Sequence, residues 1–232
     1  MTQLELEEHN RLYKEAVEIA KKEILSPGHP QTSESNPSVR SKLDHALELF
    51  SRVIDLNPDN WSAMWFVGKI HQRYGDQSAA IEWFERAHSL NPEQVEVLRE
   101  ASLCAMELGR SKEAILYASD ALKGRPTDGG LQSNLALAYL LANKLDEAKQ
   151  CIDKATVTDP ADPIAKTVSR MIEHFIRASW QRPPSTTQEL QQYRARRRRK
   201  VLVVRYCILC ILLILVTFLV FETWMTQTWN NP

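Results

Sequence analysis

Apolar and small residues recur along most of this chain at helical spacing, in blocks separated by short polar turns. The block from residue 61 to 94 places Gly68, Ala80, Phe84 and Ala87 on such a pattern, and a preceding half-block carries Ala46 and Phe50. The next block, 95–128, carries Ala114, Ala118 and Ala121; the one after, 129–162, carries Tyr139, Ala148, Ile152 and Ala155. Each block closes on a proline: Pro58, Pro92, Pro126 and Pro160, spaced 34 residues apart. Proline lacks the amide hydrogen a helix needs and forces the residue before it out of the helical region. The pattern therefore predicts paired helices: first helices near 61–73, 95–108 and 129–142, and second helices near 43–56, 77–89, 111–123 and 145–157. Turns such as Tyr74-Gly75-Asp76 and Leu108-Gly109-Arg110 break each pair, with glycine at the left-handed end of the first helix.

The helix at 43–56 lacks a first partner. Residues 3–25 supply one, with Leu6, Tyr13, Ala16, Val17, Ala20 and Ile24 on one face. Between them, residues 26–41 hold three prolines and several polar residues and read as a flexible insertion. Phosphorylation of its Ser and Thr is the functional alternative to a plain linker. After the last block, 163–180 reads as a cap helix, with Ile164, Val168, Met171, Ile172 and Phe175 covering the final pair.

This period and its small and aromatic positions resemble the tetratricopeptide repeat family over roughly residues 43–162. The resemblance implies an all-α helix–turn–helix superhelix of about four repeats plus a cap. Each pair buries its apolar face only by stacking on the next. Gly68, Ala80, Ala114 and Ala148 take the positions of closest helix approach. The chain departs from the family pattern where Met64 and Gln132 replace a frequent Trp, and where Ser102 and Ala136 replace the glycine.

In this family the first helices line a concave, partner-binding surface. The resemblance puts Ser62, Trp65, Phe66, Lys69, Gln72 and Arg73 there, then Glu96, Arg99, Glu100, Leu103, Met106 and Glu107, then Ser133, Asn134, Leu137, Leu140 and Leu141. The groove candidates carried forward are Trp65, Phe66, Lys69, Arg73, Arg99, Glu100, Leu103, Met106, Asn134, Leu137 and Leu141. One subfamily clamps the terminal carboxylate of chaperone tails with Lys, Asn and Arg. Here Phe66, Glu96 and Glu100 stand at clamp positions, so no such clamp is expected. The mixed apolar and charged lining suits an amphipathic helix or an extended peptide. The alternative is that Trp65, Phe66, Leu137 and Leu141 only pack against the N-terminal or cap helix.

Beyond the cap, the character of the chain changes. Residues 181–200 form a Pro/polar tether ending in a basic collar of Arg194, Arg196, Arg197, Arg198, Arg199 and Lys200. Residues 201–221 are apolar apart from Arg205, Tyr206 and Thr217 and contain no Gly or Pro. At about 1.5 Å per residue such a stretch spans ~30 Å, the thickness of a bilayer's hydrocarbon core. It is read as one transmembrane helix, with Arg205 snorkelling to the headgroups. The following residues, 222–232, carry no Lys or Arg. The positive-inside rule then leaves the repeats in the cytoplasm and the short tail across the membrane, a tail-anchored topology. The membrane expected is the endoplasmic reticulum in a eukaryote and the inner membrane in a bacterium.

A formal net charge of zero conceals this asymmetry. Residues 1–181 sum to about −6, while 182–205 hold eight Lys and Arg against one acid, Glu189. Anionic lipid headgroups are the natural partner of the collar. Its position against the apolar span favours a membrane flank over a nuclear-localisation signal or an RNA-binding patch, and no nucleic-acid partner is expected.

Catalytic and metal-binding signals do not emerge. The six histidines are scattered without ligand spacing, and no phosphate-cradling glycine loop is present. No metal, cofactor or enzymatic activity is expected. Cys104 and Cys151 read as small buried hydrophobes. Cys207 and Cys210 have a redox-like spacing but fall inside the apolar span, where small apolar packing competes with palmitoylation of Cys207. Asn60-Trp61-Ser62 is a glycosylation sequon at a cytoplasmic helix start. The expected function is a membrane-tethered adaptor that binds a protein or peptide. The rival is an assembly or stability subunit acting through its membrane helix.

Overall fold

A computed structural model describes residues 2–24, 37–178, 181–196 and 199. Among these, eight helices form four hairpins in chain order: α1 (Gln3–Ile24) with α2 (Pro37–Leu56), α3 (Trp61–Tyr74) with α4 (Gln77–Leu90), α5 (Val95–Glu107) with α6 (Ser111–Gly124), and α7 (Gly129–Leu141) with α8 (Leu145–Thr158). The ninth, α9 (Pro163–Arg177), packs on both α7 and α8, where the first helix of a fifth pair would sit. A further helix, α10, covers residues 187–196. The chain divides into a repeat unit, Met1–Thr187, and a second unit, Gln188–Pro232.

The punctuation of the sequence works as its chemistry requires. Asn91, Arg125 and Asp159, each preceding a proline, have φ of −139°, −140° and −135° with ψ of 83°, 77° and 90°, far from helical values. Asn60, Asp76, Asp128 and Asp162 cap α3, α4, α7 and α9 by accepting backbone N–H bonds through their side chains. The turn between paired helices needs one left-handed residue. Gly75 (φ 82°), Gly109 (φ 70°) and Asn143 (φ 59°) supply it at the same position of successive repeats.

The core runs the length of the array through the facing sides of the helices. Ala80, Phe84, Ala114, Ala118, Ala148 and Ile152 are all essentially inaccessible. At the N-terminal end a cluster joins α1, α2 and α3 around Leu12, Leu43, Phe50, Phe66 and Ile70. The Phe50 and Phe66 rings stack at 5.4 Å. Gly68 shows why no side chain stands there: a Cβ would lie 2.6 Å from Phe84 Cε1. At the equivalent position Ser102 is fully buried, and its hydroxyl donates to the Ala114 carbonyl at 3.0 Å.

Several expectations need correction. On α1 the buried stripe is His9, Leu12, Ala16, Ala20 and Glu23, while Leu6 is 43% exposed. Tyr13, Val17 and Ile24 of the expected face still pack, partly buried, on the core. The fully buried stripe is rotated from it toward His9, which bonds to the capping Asn60 through Nε2 at 3.1 Å, and Glu23, which pairs with Lys42 at 2.8 Å. Helix α2 starts at Pro37 rather than near 43, with Val39 continuing the buried stripe. Proline is tolerated in the first turn, so it opens this helix instead of ending a loop. The rest of the 26–41 insertion lies outside the described residues. On α9, Val168, Ile172 and Phe175 are buried but Ile164 is 65% exposed. It sits in the first turn, outside the buried stripe of α9.

The stretch read as a tether is also more structured than expected. Pro183 is buried, and residues 181–187 belong to the repeat unit. The following Gln-Glu-Leu-Gln-Gln-Tyr-Arg-Ala-Arg run is helical within α10, as its strong helix formers favour. Leu190 is buried there. Residues 201–221, Cys207, Cys210, Arg197, Arg198 and Lys200 lie outside the described residues. No helix among the described residues is long and apolar enough to cross a membrane.

Candidate peptide-binding groove

The first helices α3, α5 and α7 line the inner face of the array, and among the described residues two clefts open on it. One, of about 350 Å³, lies between α3 and α5 and is lined by Lys69, Gln72, Arg73, Glu100, Leu103 and Glu107. Ile24 of α1, Gln77 of α4 and Thr187 complete its wall. The other, of about 250 Å³, lies between α5, α7 and α9, with Arg99, Leu103, Asn134, Leu137, Ile164 and Val168 among its lining. Leu103 is common to both, so the clefts meet at the middle of the inner face.

A charged lattice organises this surface. The Glu100 carboxylate, 6% exposed, accepts from Lys69 Nζ at 2.9 Å, Arg99 Nη2 at 3.0 Å and Gln72 Nε2 at 3.2 Å. Burial pushes its pKa up, but the Lys69 ammonium, the Arg99 guanidinium and Gln72 outweigh that and hold the carboxyl below its ordinary value. Glu96 extends the lattice, bonding Arg99 Nε at 2.9 Å and Arg125 Nη2 at 2.7 Å. Lys69 and Gln72 lie one turn apart on α3, and Glu96, Arg99 and Glu100 lie one turn apart on α5, so they interlock, and Arg125 joins them from the end of α6. Beside them burial, reinforced by the Glu100 charge, pushes the Cys104 thiol up to about 12. It is an inert packing group at neutral pH.

This arrangement has a chemical consequence. Lys69, the groove cation nearest to Glu100, is already neutralised by a buried acid. A ligand carboxylate would have to compete with Glu100 for it, against the fixed geometry of three donors. The inner face is suited to a segment without a strong charge of its own.

The sequence-derived groove residues divide into two groups. Lys69, Arg73, Arg99, Glu100, Leu103, Asn134 and Leu137 line one or other cleft. Phe66, Met106 and Leu141 do not: they are 6%, 1% and 4% exposed and belong to the core. Leu140 is likewise fully buried. On each first helix the inward stripe is narrower than a whole face, and the adjacent residue turns toward the second helix. Trp65 is half-buried, edge-on to Phe66 at 4.9 Å, and packs on the N-terminal cluster. Gln77 and Thr187 were not readable as groove residues, because neither lies on a first helix of the repeat pattern, and Ile24 read only as part of the packing face of α1. Ile164 and Val168 were readable as apolar positions of α9, but not as the end wall of a cleft. Of the collar, Arg194, Arg196 and Arg199 are described, the last two exposed. No group of three or more His, Cys, Asp or Glu among the described residues forms a metal site.

Family models described as tetratricopeptide repeat match residues 40–94 and 105–172, together just over half of the chain. The helix pairs are tetratricopeptide repeats. Among curated proteins the array is 25% identical over 134 residues to the transcription factor tau 131 kDa subunit of Saccharomyces cerevisiae. It is 26% identical over 135 residues to the RNA polymerase-associated protein CTR9 of Caenorhabditis elegans. These matches take in 56% and 57% of this chain but only 13% and 11% of the relatives. Among solved structures, a MamA protein superposes with a TM-score of 0.57 at 16% identity, covering 71% of this chain and 82% of that one. YrrB, described as a tetratricopeptide repeat protein with an unusual peptide-binding site, gives 0.52 at 18% identity, covering 57% and 69%. At these identities the structural likeness concerns the fold of the repeats.

Proposed function

We propose that this protein is a membrane-tethered adaptor that holds a protein or peptide segment on the inner face of its repeats. The observation that carries the reading is the pair of clefts meeting at Leu103, an open channel lined by aliphatic and charged groups, of which Lys69, Arg99 and Glu100 are paired with one another. Repeat surfaces of this kind bind extended or helical segments through many modest contacts. The basic collar and the apolar stretch 201–221 support attachment to a bilayer, with the repeats on the cytoplasmic side and the short tail across it. The membrane is the endoplasmic reticulum in a eukaryotic cell and the inner membrane in a bacterial one. Tethering raises the local concentration of whatever the groove holds, so modest affinity suffices.

The deciding experiment captures partners with the full chain in detergent and repeats the capture with Leu103→Arg and Leu137→Arg. Both substitutions put a charge into a cleft without entering the buried core. Loss of a protein that the parent chain retains is expected. Retention of every partner by both variants would remove the groove from the function. Exchanging residues 201–221 for an unrelated apolar span tests the assembly-subunit reading, in which complex formation depends on that sequence.

A further inference from the structure

After α9 the chain turns back toward the inner face. Thr186 reaches the α5–α6 turn, where a Cβ at Gly109 would meet its Cγ2 at 3.2 Å and the Ser185 carbonyl at 3.8 Å. One residue on, Thr187 forms part of the wall of the α3/α5 cleft, beside Lys69, Gln72, Gln77 and Leu103. Residues 181–186 include two prolines and no helix, so the segment lies across the end of α5 as non-helical chain. A segment distant in sequence thus borders the channel assigned above to a partner, with Thr187 closing one side of it.

The fit is incomplete in an informative way. Thr187 Oγ1 and Gln77 Oε1 both line this cleft, and both are buried without a hydrogen-bond partner. A buried polar atom left unpaired is costly, so the seated segment is a replaceable occupant. A segment that brings a backbone donor to Gln77 gains a bond that the resident one does not make. The residues from Pro183 to Thr187 are uncharged and hydroxyl-rich, which matches a cleft whose Glu100 and Lys69 already satisfy one another.

We propose that the α3/α5 cleft is a binding site for an uncharged, proline-containing and hydroxyl-rich segment, and that residues 183–187 of the chain itself, with Thr187 at the cleft wall, guard it until such a partner displaces them. This rests on the groove reading of the proposed function and adds both the ligand class and a resting-state occupant. Displacement frees the connection between the repeats and the collar at the moment a partner binds.

Two measurements on the full chain in detergent micelles test it. In the first, Thr187→Cys and Ser185→Cys are labelled separately with a thiol reagent and read by mass spectrometry of the fragment that holds them. Ser185 is exposed while the Thr187 oxygen is buried. Labelling of the Thr187→Cys thiol slower than that of the Ser185→Cys thiol by about tenfold or more is expected of a seated segment. Equal rates overturn the proposal and leave the adaptor reading untouched. In the second, a fluorescent peptide with the sequence of residues 183–188, capped at both ends, is titrated onto two proteins: the parent chain, and a variant carrying Pro183→Gly, Pro184→Gly, Thr186→Gly and Thr187→Gly. Freeing the site is expected to tighten peptide binding by about tenfold or more, as removing an occupant from the competent state requires. Adding Leu103→Arg to the variant is expected to abolish it. Equal binding to both proteins, or binding to neither, overturns the proposal even where the thiol of Thr187→Cys is protected. A variant that binds the peptide while partner capture is indifferent to Leu103 and Leu137 would sink the adaptor reading instead.

Discussion

Single positions in this array are set by what faces them one helix away. Gly68 meets Phe84 with no room for a methyl group, whereas Ser102, one repeat later, has space to turn its hydroxyl onto the Ala114 carbonyl. The glycine is therefore a packing residue, and Gly68→Ala should lower stability by roughly 1–3 kcal/mol through overpacking. Chemical denaturation measures it, and Phe84→Leu in the same chain should recover part of the loss. Glu100 supports a second prediction. Its folded-state pKa is depressed, so its stabilisation is present above the unfolded pKa of about 4.3 and is lost as pH falls through the folded value. Glu100→Gln should cost roughly 1–3 kcal/mol at neutral pH, because Lys69 and Arg99 lose a charged acceptor. It should also remove part of the acid-induced loss of stability that the parent shows below pH ~4.3. Denaturant midpoints at pH 7 and pH 3.5 for both proteins decide: a parent and variant with parallel pH profiles would show that Glu100 titrates alike folded and unfolded.

The helices were readable from local signals because their ends are chemically marked. Prolines, aspartate and asparagine caps and left-handed turn residues recur in phase, and each acts within one turn of its own position. What local pattern could not give was the rotation of α1 and the seat of residues 181–187. The first depends on His9 reaching Asn60 and Glu23 reaching Lys42, and the second on contacts across the turn at Gly109. Both are long-range, and neither leaves a periodic trace. The same limit explains the groove residues: periodicity told first helices from second, but it could not separate Leu103 in the channel from Met106 in the core. Element-level packing makes its own prediction at α9, which buries Val168, Ile172 and Phe175 against the last pair. Phe175→Ala should cost about 3–5 kcal/mol, the range for emptying a buried aromatic site. Ile164→Ala, at 65% exposure, should cost less than about 0.5 kcal/mol, as surface changes do. Thermal or denaturant unfolding of the two variants compares them, and similar losses would mean that α9 is seated by its first turn rather than by its apolar stripe.

At the scale of the molecule, charge is distributed so that the proposed attachment has a direction. The region 1–181 carries about −6, while the collar concentrates its positive residues immediately before the apolar stretch. Near an anionic surface each collar charge contributes about 1 kcal/mol, and the acidic repeats are repelled over roughly a Debye length of 8 Å at physiological salt. On the proposed attachment the collar is drawn to the lipid and the acidic repeats are repelled by it. In the proposed topology the same charges set orientation, because positive flanks resist translocation. In vesicles with the cytoplasmic face outward, protease should digest the repeats of the parent chain and leave a protected fragment that begins near the collar. Replacing Arg194, Arg196, Arg197, Arg198, Arg199 and Lys200 with Gln, and adding lysines after Glu222, should reduce that digestion by inverting part of the population. Repeats that resist protease in the parent chain would refute the proposed topology. Repeats digested equally in both chains would show that the folded array, which must cross as a domain, fixes orientation more strongly than the collar does.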